Sequence, residues 1–293
     1  MTRFHYVRPS TVESAVATLQ EAGARATLLA GGTDLLVRLR SGRVRPAVVV
    51  DLKRIESLES GMTRLDGMLR IGARCTMTAL IAEEQVRQYF PALVDAARVV
   101  GSVQFRNRAT LAGNICNASP AADTAPPLLA YGALVNMRGT AGERRVPLQQ
   151  FFTGPGRTVL GGDEIVTSIE LPLPAGPVGA SFMRLTRRRG VDLATLTVCC
   201  TISSAGELRV ALGAVAPTPL LVVDGVLPPE GGSYERLAAG IAAHASPISD
   251  VRAGSDYRSA MLPVFIRRAI ELALKRLDEN ERWNPTASHS PSS

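Results

Sequence analysis

Residues 106–123 read Arg-Asn-Arg-Ala-Thr-Leu-Ala-Gly-Asn-Ile-Cys-Asn-Ala-Ser-Pro-Ala-Ala-Asp. Gly113, Asn114, Asn117, Ser119 and Pro120 interrupt both helical and strand periodicity, so the core has to be assembled from elements on either side of this stretch. The same stretch carries hydroxyls (Thr110, Ser119), amides (Asn114, Asn117), a carboxylate (Asp123) and a glycine, Gly113, that lets backbone approach a ligand closely. A single loop of this kind is most often a connector. A second loop, far away in the chain, changes that reading.

The second loop sits in a strand–turn–helix context. Residues 11–22 form an amphipathic helix, with Val12, Ala15, Val16 and Leu19 on one stripe and Gly23 as its stop. Residues 25–30 are a short apolar strand running into Gly31-Gly32-Thr33-Asp34, and residues 35–39 are helical in pattern. Backbone N–H groups left free where a helix begins, together with the helix dipole, favour an anion there. A plain β–α turn has the same spelling, and the full G-x-G-x-x-G fingerprint of a Rossmann site is absent.

The remainder mixes short strands and helices. A strand follows at 47–51, then a hairpin at 65–71 around Asp66-Gly67. Helices are expected at 78–87, capped by Thr76 or Thr78, and at 91–100. Residues 123–131 read as a helix entered through Pro126-Pro127, for which Asp123 is also a possible cap. Strands are expected at 133–137, 144–148 and 164–171, the last with Ile165, Thr167, Ile169 and Leu171 on one face. Residues 151–158 form a rigid loop, and Pro172, Pro174, Gly176 and Pro177 mark a boundary. Strands at 180–185, 194–202 and 208–215, a turn at 215–219, and helices at 234–244 and 262–277 complete the pattern, with a polar Ser/Pro-rich tail at 284–293 expected to be disordered.

Composition excludes several classes. With 293 residues, 46% hydrophobic and 20% charged, the chain has ample material for a globular core. No apolar run approaches the roughly 18 residues of a membrane span, and the N-terminus lacks a secretory pattern, so a cytoplasmic protein is expected. Net charge is +7, but aromatics are only 4% and the sole dense basic cluster is at 184–189, which disfavours nucleic acid and suits an anionic ligand or an acidic partner. Cys75, Cys116, Cys199 and Cys200 form no C-x-x-C pair, and the histidines are scattered, so no zinc or iron–sulfur ligand set is expected. Cys199 and Cys200 read as core residues. One long ligand bridging both loops, such as a dinucleotide, accounts for the two together.

Ala30-Gly-Gly-Thr-Asp34, Thr110-Leu-Ala-Gly-Asn114 and Ala118-Ser-Pro-Ala-Ala-Asp123 resemble the two FAD loops of the flavoprotein subunit of the xanthine dehydrogenase and aerobic carbon monoxide dehydrogenase family of molybdenum hydroxylases. Further segments match in order: Phe4-x-Tyr6-x-x-Pro9, Ile71-Gly72-Ala73, Phe105-Arg-Asn107, Phe151-Phe-x-Gly-Pro-Gly-Arg-Thr158, Glu164-Ile165, Asp192-Leu-Ala194, Pro217-Thr-Pro219, Asp250-Val-Arg252 and Tyr257-Arg258. Each is weak alone; the ordered set is specific. The resemblance implies a two-lobed FAD-binding domain of vanillyl-alcohol-oxidase type (lobes at 1–58 and 59–175), followed by a small α+β C-terminal domain at 176–280.

It also implies an electron-transfer role within a heterotrimer, assembled as a dimer of heterotrimers. A small partner subunit would hold [2Fe-2S] clusters and a large one the molybdenum cofactor, with FAD on this chain passing electrons to an external acceptor. By the same resemblance Ala30, Gly31, Gly32, Thr33 and Asp34 would line the FAD pyrophosphate. Thr110, Gly113, Asn114, Ser119 and Asp123 would contact phosphate, ribityl or adenosine groups, Ile165 and Val166 would pack near the flavin ring, and Arg184 would place a cation at its pyrimidine end. Ala112 departs from the glycine frequent in the family. The absence of a cysteine-bearing insertion disfavours the 4-hydroxybenzoyl-CoA reductase branch. A stand-alone flavin oxidoreductase and a non-catalytic assembly module are the competing readings.

Overall fold

The computed structural model describes residues 3–226 and 234–283; the tail expected at 284–293 lies outside them. The N-terminal unit consists of β1 (His5–Val7), α1 (Val12–Ala22), β2 (Ala26–Leu29), α2 (Leu35–Arg40) and β3 (Val48–Asp51), with a parallel sheet in the order β1-β3-β2. Helix α1 forms as its stripe dictates: Val12, Ala15, Val16 and Leu19 are buried. Thr11 Oγ1 accepts from the Ser14 N–H at 3.1 Å at one end, and Gly23, at φ 55°, closes the other. Strand β1 was not expected. At three residues, mostly exposed, it has too little pattern to read and exists through its pairing with β3.

The second unit is a five-stranded antiparallel sheet, β4 (Met62–Leu65), β5 (Met68–Gly72), β6 (Leu134–Gly139), β7 (Gly142–Pro147) and β10 (Ile165–Pro172), ordered β4-β5-β10-β6-β7. The hairpin between β4 and β5 turns at Asp66 and Gly67, both with positive φ, as a two-residue turn of this hand requires. Between β5 and β6 lie α3 (Met77–Ala82), α4 (Glu84–Tyr89), α5 (Pro91–Arg98), α6 (Val103–Arg106), α7 (Leu111–Cys116) and α8 (Ala125–Ala130). After β7 come α9 (Leu148–Phe151), β8 (Phe152–Gly154) and β9 (Arg157–Thr158).

Several expectations are corrected here. The helix expected over 78–87 is two, broken at Glu83, and its cap is Thr76, whose Oγ1 accepts from the Ala79 N–H at 3.2 Å. Residues 111–116 are helical despite Gly113 and Asn114, because Thr110 caps them and Leu111, Ala112 and Ile115 are buried. Strand β10 does not alternate simply. It carries a bulge between Val166 and Ser168 and is buried on both faces, as a central strand is.

The third unit is antiparallel: β11 (Val178–Leu185), β12 (Leu196–Ser203), β13 (Glu207–Gly213) and β14 (Leu220–Val226) in that order, with α10 (Tyr234–Ala242) and α11 (Ser255–Trp283) on one face. Strand β14 was missed because Pro217 and Pro219 read as the end of the strand region. Helix α11 starts earlier than expected and runs through Pro263, because packing of Leu262, Ile266, Ile270 and Ala273 against the sheet outweighs the proline penalty.

The first two sheets share one hydrophobic core, in which Val50, Leu52, Phe90, Leu93, Leu111 and Ile169 belong to a single cluster. The third sheet and its helices form a second. Strand alternation assigns the adjacent thiols of β12 to different cores: Cys199 faces the first and Cys200 the second. The two cores are joined where α5 and α8 pack on β11, β12 and β13. Among the described residues no helix is long and apolar enough to cross a membrane.

Helix α11 lies so close to β11 that a Cβ on Gly179 would stand 2.0 Å from the Ala273 carbonyl oxygen and 2.7 Å from Leu277 Cβ. Gly179→Ala is expected to destabilise the chain by about 3 kcal/mol in urea unfolding, at the upper end of overpacking costs. Gly162→Ala, which has open space around it, should stay within about 0.5 kcal/mol.

Candidate functional site

The two glycine-bearing loops meet. A Cβ built on Gly31 would lie 2.1 Å from the Arg108 carbonyl oxygen and 3.0 Å from the Ala109 Cα, so only glycine allows the turn after β2 to touch the backbone leading into α7. An antiparallel bridge between Thr76 and Thr110 holds that backbone in place: the Met77 N–H donates to the Ala109 oxygen at 2.9 Å and the Leu111 N–H to the Cys75 oxygen at 3.1 Å. Asn117 Nδ2 reaches Asp34 Oδ1 at 3.4 Å, a second tie between the loops.

In the first loop Gly32 adopts φ 80°, which turns the backbone outward. The N–H groups of Gly32, Thr33 and Asp34 donate to no acceptor among the described residues, and the Asp34 side chain does not cap α2. In the second loop Thr110 Oγ1 accepts from the Gly113 N–H at 3.0 Å, and a Cβ on Gly113 would meet only that oxygen, at 2.8 Å. The side of α7 bearing Gly113 is therefore open down to the backbone. Asn114 Oδ1 accepts from Thr124 Oγ1 at 2.7 Å, and Ser119 Oγ accepts from the Ala121 N–H at 3.3 Å. Ala112 is buried and does not narrow the open side.

At the meeting point lies a cleft of about 80 Å³ floored by Ala30, Gly31, Thr76 and Thr110. It is also lined by Lys53, Arg74 and Arg108; Arg108 lies within the second loop but was not among the expected site residues, and Lys53 and Arg74 come from outside both loops. Lys53 is held by Asp51 at 2.7 Å, and the buried Asp51 carboxylate also accepts from the Tyr6 hydroxyl. Arg74 donates to the carbonyls of Lys53 (2.7 Å) and Leu58. A larger open groove of about 620 Å³ lies between α1 and the second sheet. No residue of either loop lines it, and its arginines 70, 138 and 145 are paired with carboxylates.

The remaining expected site residues fall on the far side of the second loop. Ile165 and Val166 open β10, on which α7 packs, and both are buried in the first core. Asp123 is not the cap of α8, whose first flanking residue is Thr124. Its carboxylate instead accepts from Arg184 Nε at 2.8 Å, with both side chains nearly buried. Arg184 also donates to the Asp192 carbonyl, so this cation is engaged by the protein itself rather than facing solvent.

Residues 2–174 match the protein family described as the FAD binding domain in molybdopterin dehydrogenase. The chain is 32% identical over 279 residues to the xanthine dehydrogenase FAD-binding subunit of Escherichia coli O157:H7, covering 92% of this chain and 95% of that protein. It is also 32% identical over 283 residues to the carbon monoxide dehydrogenase medium chain of Hydrogenophaga pseudoflava, covering 94% and 98%. Among solved structures, a chain of carbon monoxide dehydrogenase from Hydrogenophaga pseudoflava superposes with a TM-score of 0.87 at 31% identity, over 94% of this chain and 98% of that one. A chain of quinoline 2-oxidoreductase from Pseudomonas putida 86 superposes with a TM-score of 0.82 at 26% identity, over the same shares.

Burial raises the Asp123 carboxyl to about 6, and the Arg184 guanidinium offsets only part of that rise. A carboxyl raised in the folded state stabilises the fold at low pH, and that contribution is lost as pH climbs through the folded value. The thermal midpoint should therefore fall between pH 4 and pH 6.5 by an amount worth up to about 3 kcal/mol, and this slope should flatten in Asp123→Asn, as followed by calorimetry.

Proposed function

The chain belongs to the family of FAD-binding domains of molybdopterin dehydrogenases, as an FAD-binding subunit of the xanthine and carbon monoxide dehydrogenase type, and we propose that it serves as the electron-transfer subunit of a heterotrimeric molybdenum hydroxylase. In this reading a small subunit holds [2Fe-2S] clusters, a large subunit holds the molybdenum cofactor, two heterotrimers pair, and the assembly is cytoplasmic. Bound FAD supplies a centre that takes electrons singly and gives them up in pairs to an external acceptor.

The observation that carries the reading is the seam between the loops. Lys53, Arg74 and Arg108 line one cleft with Ala30, Gly31 and Thr110, and the two loops that form it also carry the N–H groups at 32–34, without an acceptor among the described residues, and the open backbone face at Gly113. That donor set fits a diphosphate: neutral backbone donors fix its orientation and cations offset its charge. Gly31 to Asp34 and Gly113 would hold the diphosphate, with Lys53 as its counter-ion. Thr110, Asn114 and Ser119 would hydrogen-bond the adjoining sugar and ribityl groups. Ile165 and Val166 would form the apolar backing of the ring, and the Asp123–Arg184 pair would fix the polar edge. Around the cleft α2 exposes Leu36 and Val37, and α6 exposes Val103 and Phe105. A partner subunit seated there would bury this apolar surface beside the flavin.

Titration of the flavin-free chain, followed by quenching of flavin fluorescence, tests the site. Gly113→Val should weaken FAD by at least about tenfold, since it fills the open face. Lys53→Ala should weaken FAD about fivefold through the lost charge while leaving riboflavin, which has no phosphate, unchanged. An unchanged FAD affinity in both variants of a folded protein would remove this site. Co-purification with two further subunits containing iron and molybdenum tests the assembly.

A further inference from the structure

We propose that Arg258 and Asp250 are positioning residues for the second flavin loop, acting on it through the backbone of Ala214. This rests on the reading that residues 118–123 hold flavin. Arg258 lies in the first turns of α11 and is only 1% exposed, among the most deeply buried side chains of the protein. Its Nη1 donates to the Ala214 carbonyl oxygen at 3.0 Å and its Nη2 to Asp250 Oδ1 at 2.6 Å, while Nε has no partner. The Ala214 N–H in turn donates to the Pro120 carbonyl oxygen at 2.7 Å. One residue therefore ties the buried guanidinium to the middle of the loop.

That residue is in an unusual state. Ala214 has φ 62°, a left-handed conformation that alanine rarely adopts. Its neighbour Gly213 is pressed so closely that a Cβ there would lie 2.3 Å from Thr197 Oγ1 and 2.9 Å from Pro126 Cγ. A strained alanine and a buried arginine are each unfavourable for stability alone. Here they coincide on one residue, whose carbonyl accepts from Arg258 while its N–H donates to the loop.

The clamp is itself braced. Asp250 accepts from the Arg252 N–H at 2.8 Å and from Arg252 Nε at 3.0 Å, and Arg252 Nη1 donates to the Ala194 oxygen at 3.0 Å. Arg187 bridges Asp192 at 2.8 Å and the Val251 oxygen at 3.1 Å. Asp192 leads back, through its carbonyl, to Arg184 and Asp123. The loop is thus tied at Pro120 and at Asp123 by one ionic belt belonging to the third sheet. Its start, the left-handed Ala118, is held by a 2.9 Å bond from the Gly156 N–H. The middle and end of the loop, at Pro120 and Asp123, are thus held by the third unit.

The test compares the full chain with Arg258→Met, Arg258→Lys and Asp250→Asn, reading hydrogen–deuterium exchange of residues 118–124 without flavin, FAD affinity by fluorescence quenching, and the visible circular dichroism of bound flavin. Arg258→Met should speed exchange in 118–124 about tenfold, weaken FAD about tenfold and alter the flavin dichroism, while β12 amides keep their protection. Arg258→Lys should fall between it and the parent. If Arg258→Met does not fold, Asp250→Asn, which leaves the guanidinium in place, should show the same changes at lesser size. A folded variant with unchanged exchange in 118–124, or with FAD affinity and dichroism of the parent despite a lowered melting temperature, overturns the proposal. Because exchange is read without flavin, a parent chain that bound no FAD would count against the flavin reading alone and leave the clamp decided.

Discussion

The α-carbon of Gly31 rests against the peptide joining Arg108 and Ala109. Any side chain at position 31 would drive the turn after β2 away from the entrance to α7. The remaining features of the cleft presuppose this contact: the donors at 32–34 follow it in the chain, and Thr110, Lys53 and Arg74 line the cleft beside it. It is a contact between loops remote in sequence, and it is fixed from below by the Thr76–Thr110 bridge and by a core that runs without interruption beneath both sheets. Glycine here serves close approach of protein to protein first; access for a ligand is a consequence. At Gly113 the order is reversed, since nothing but the capping hydroxyl stands near it.

Lys53 and Lys275 are the chain's only lysines, so nearly all its positive charge is arginine, and that charge reads differently once partners are assigned. The cluster that begins at Arg184 looks like an exposed basic patch, yet Arg184 engages Asp123, Arg187 engages Asp192, and Arg188 donates to the Val191 carbonyl. Arg184 bonds the second loop directly and Arg258 reaches it through Ala214, while Arg187 and Arg252 brace them from within the third unit. A guanidinium suits this because its planar fork can serve a carboxylate and a carbonyl at once, as Arg258 and Arg252 both do. At the cleft, too, Lys53 is paired with Asp51 and Arg74 with two carbonyls, which holds both in the lining beside Arg108.

Much of this was legible in the sequence. The stripe of α1 with its stop at Gly23, the strand–glycine–helix passage at 26–40, and the Asp66-Gly67 hairpin all follow from local chemistry. What escaped was decided by distant parts of the chain. Strand β1 is three residues held by pairing, α7 is a six-residue helix carried by a cap and burial in spite of its glycine, and the second half of α11 stabilises the first through Pro263. Both loops were visible as candidate ligand sites. Two of the cleft cations were not, since Lys53 and Arg74 lie outside both loops and share no element with them. Asp123 could be singled out, but its engagement by Arg184 depends on how the third sheet docks.

The thiols complete the account in a way their spacing alone does not suggest. Burial pushes the Cys75 and Cys116 thiols up to about 12, and Cys199 and Cys200, on opposite faces of one strand, are raised as well. Oxidation of cysteine begins from the thiolate, and none of the four holds that form at neutral pH. Reduced flavin that meets oxygen generates peroxide next to the polypeptide carrying it. With their thiols protonated, and Cys75, Cys199 and Cys200 buried, the cysteines of this chain present little thiolate to such an oxidant.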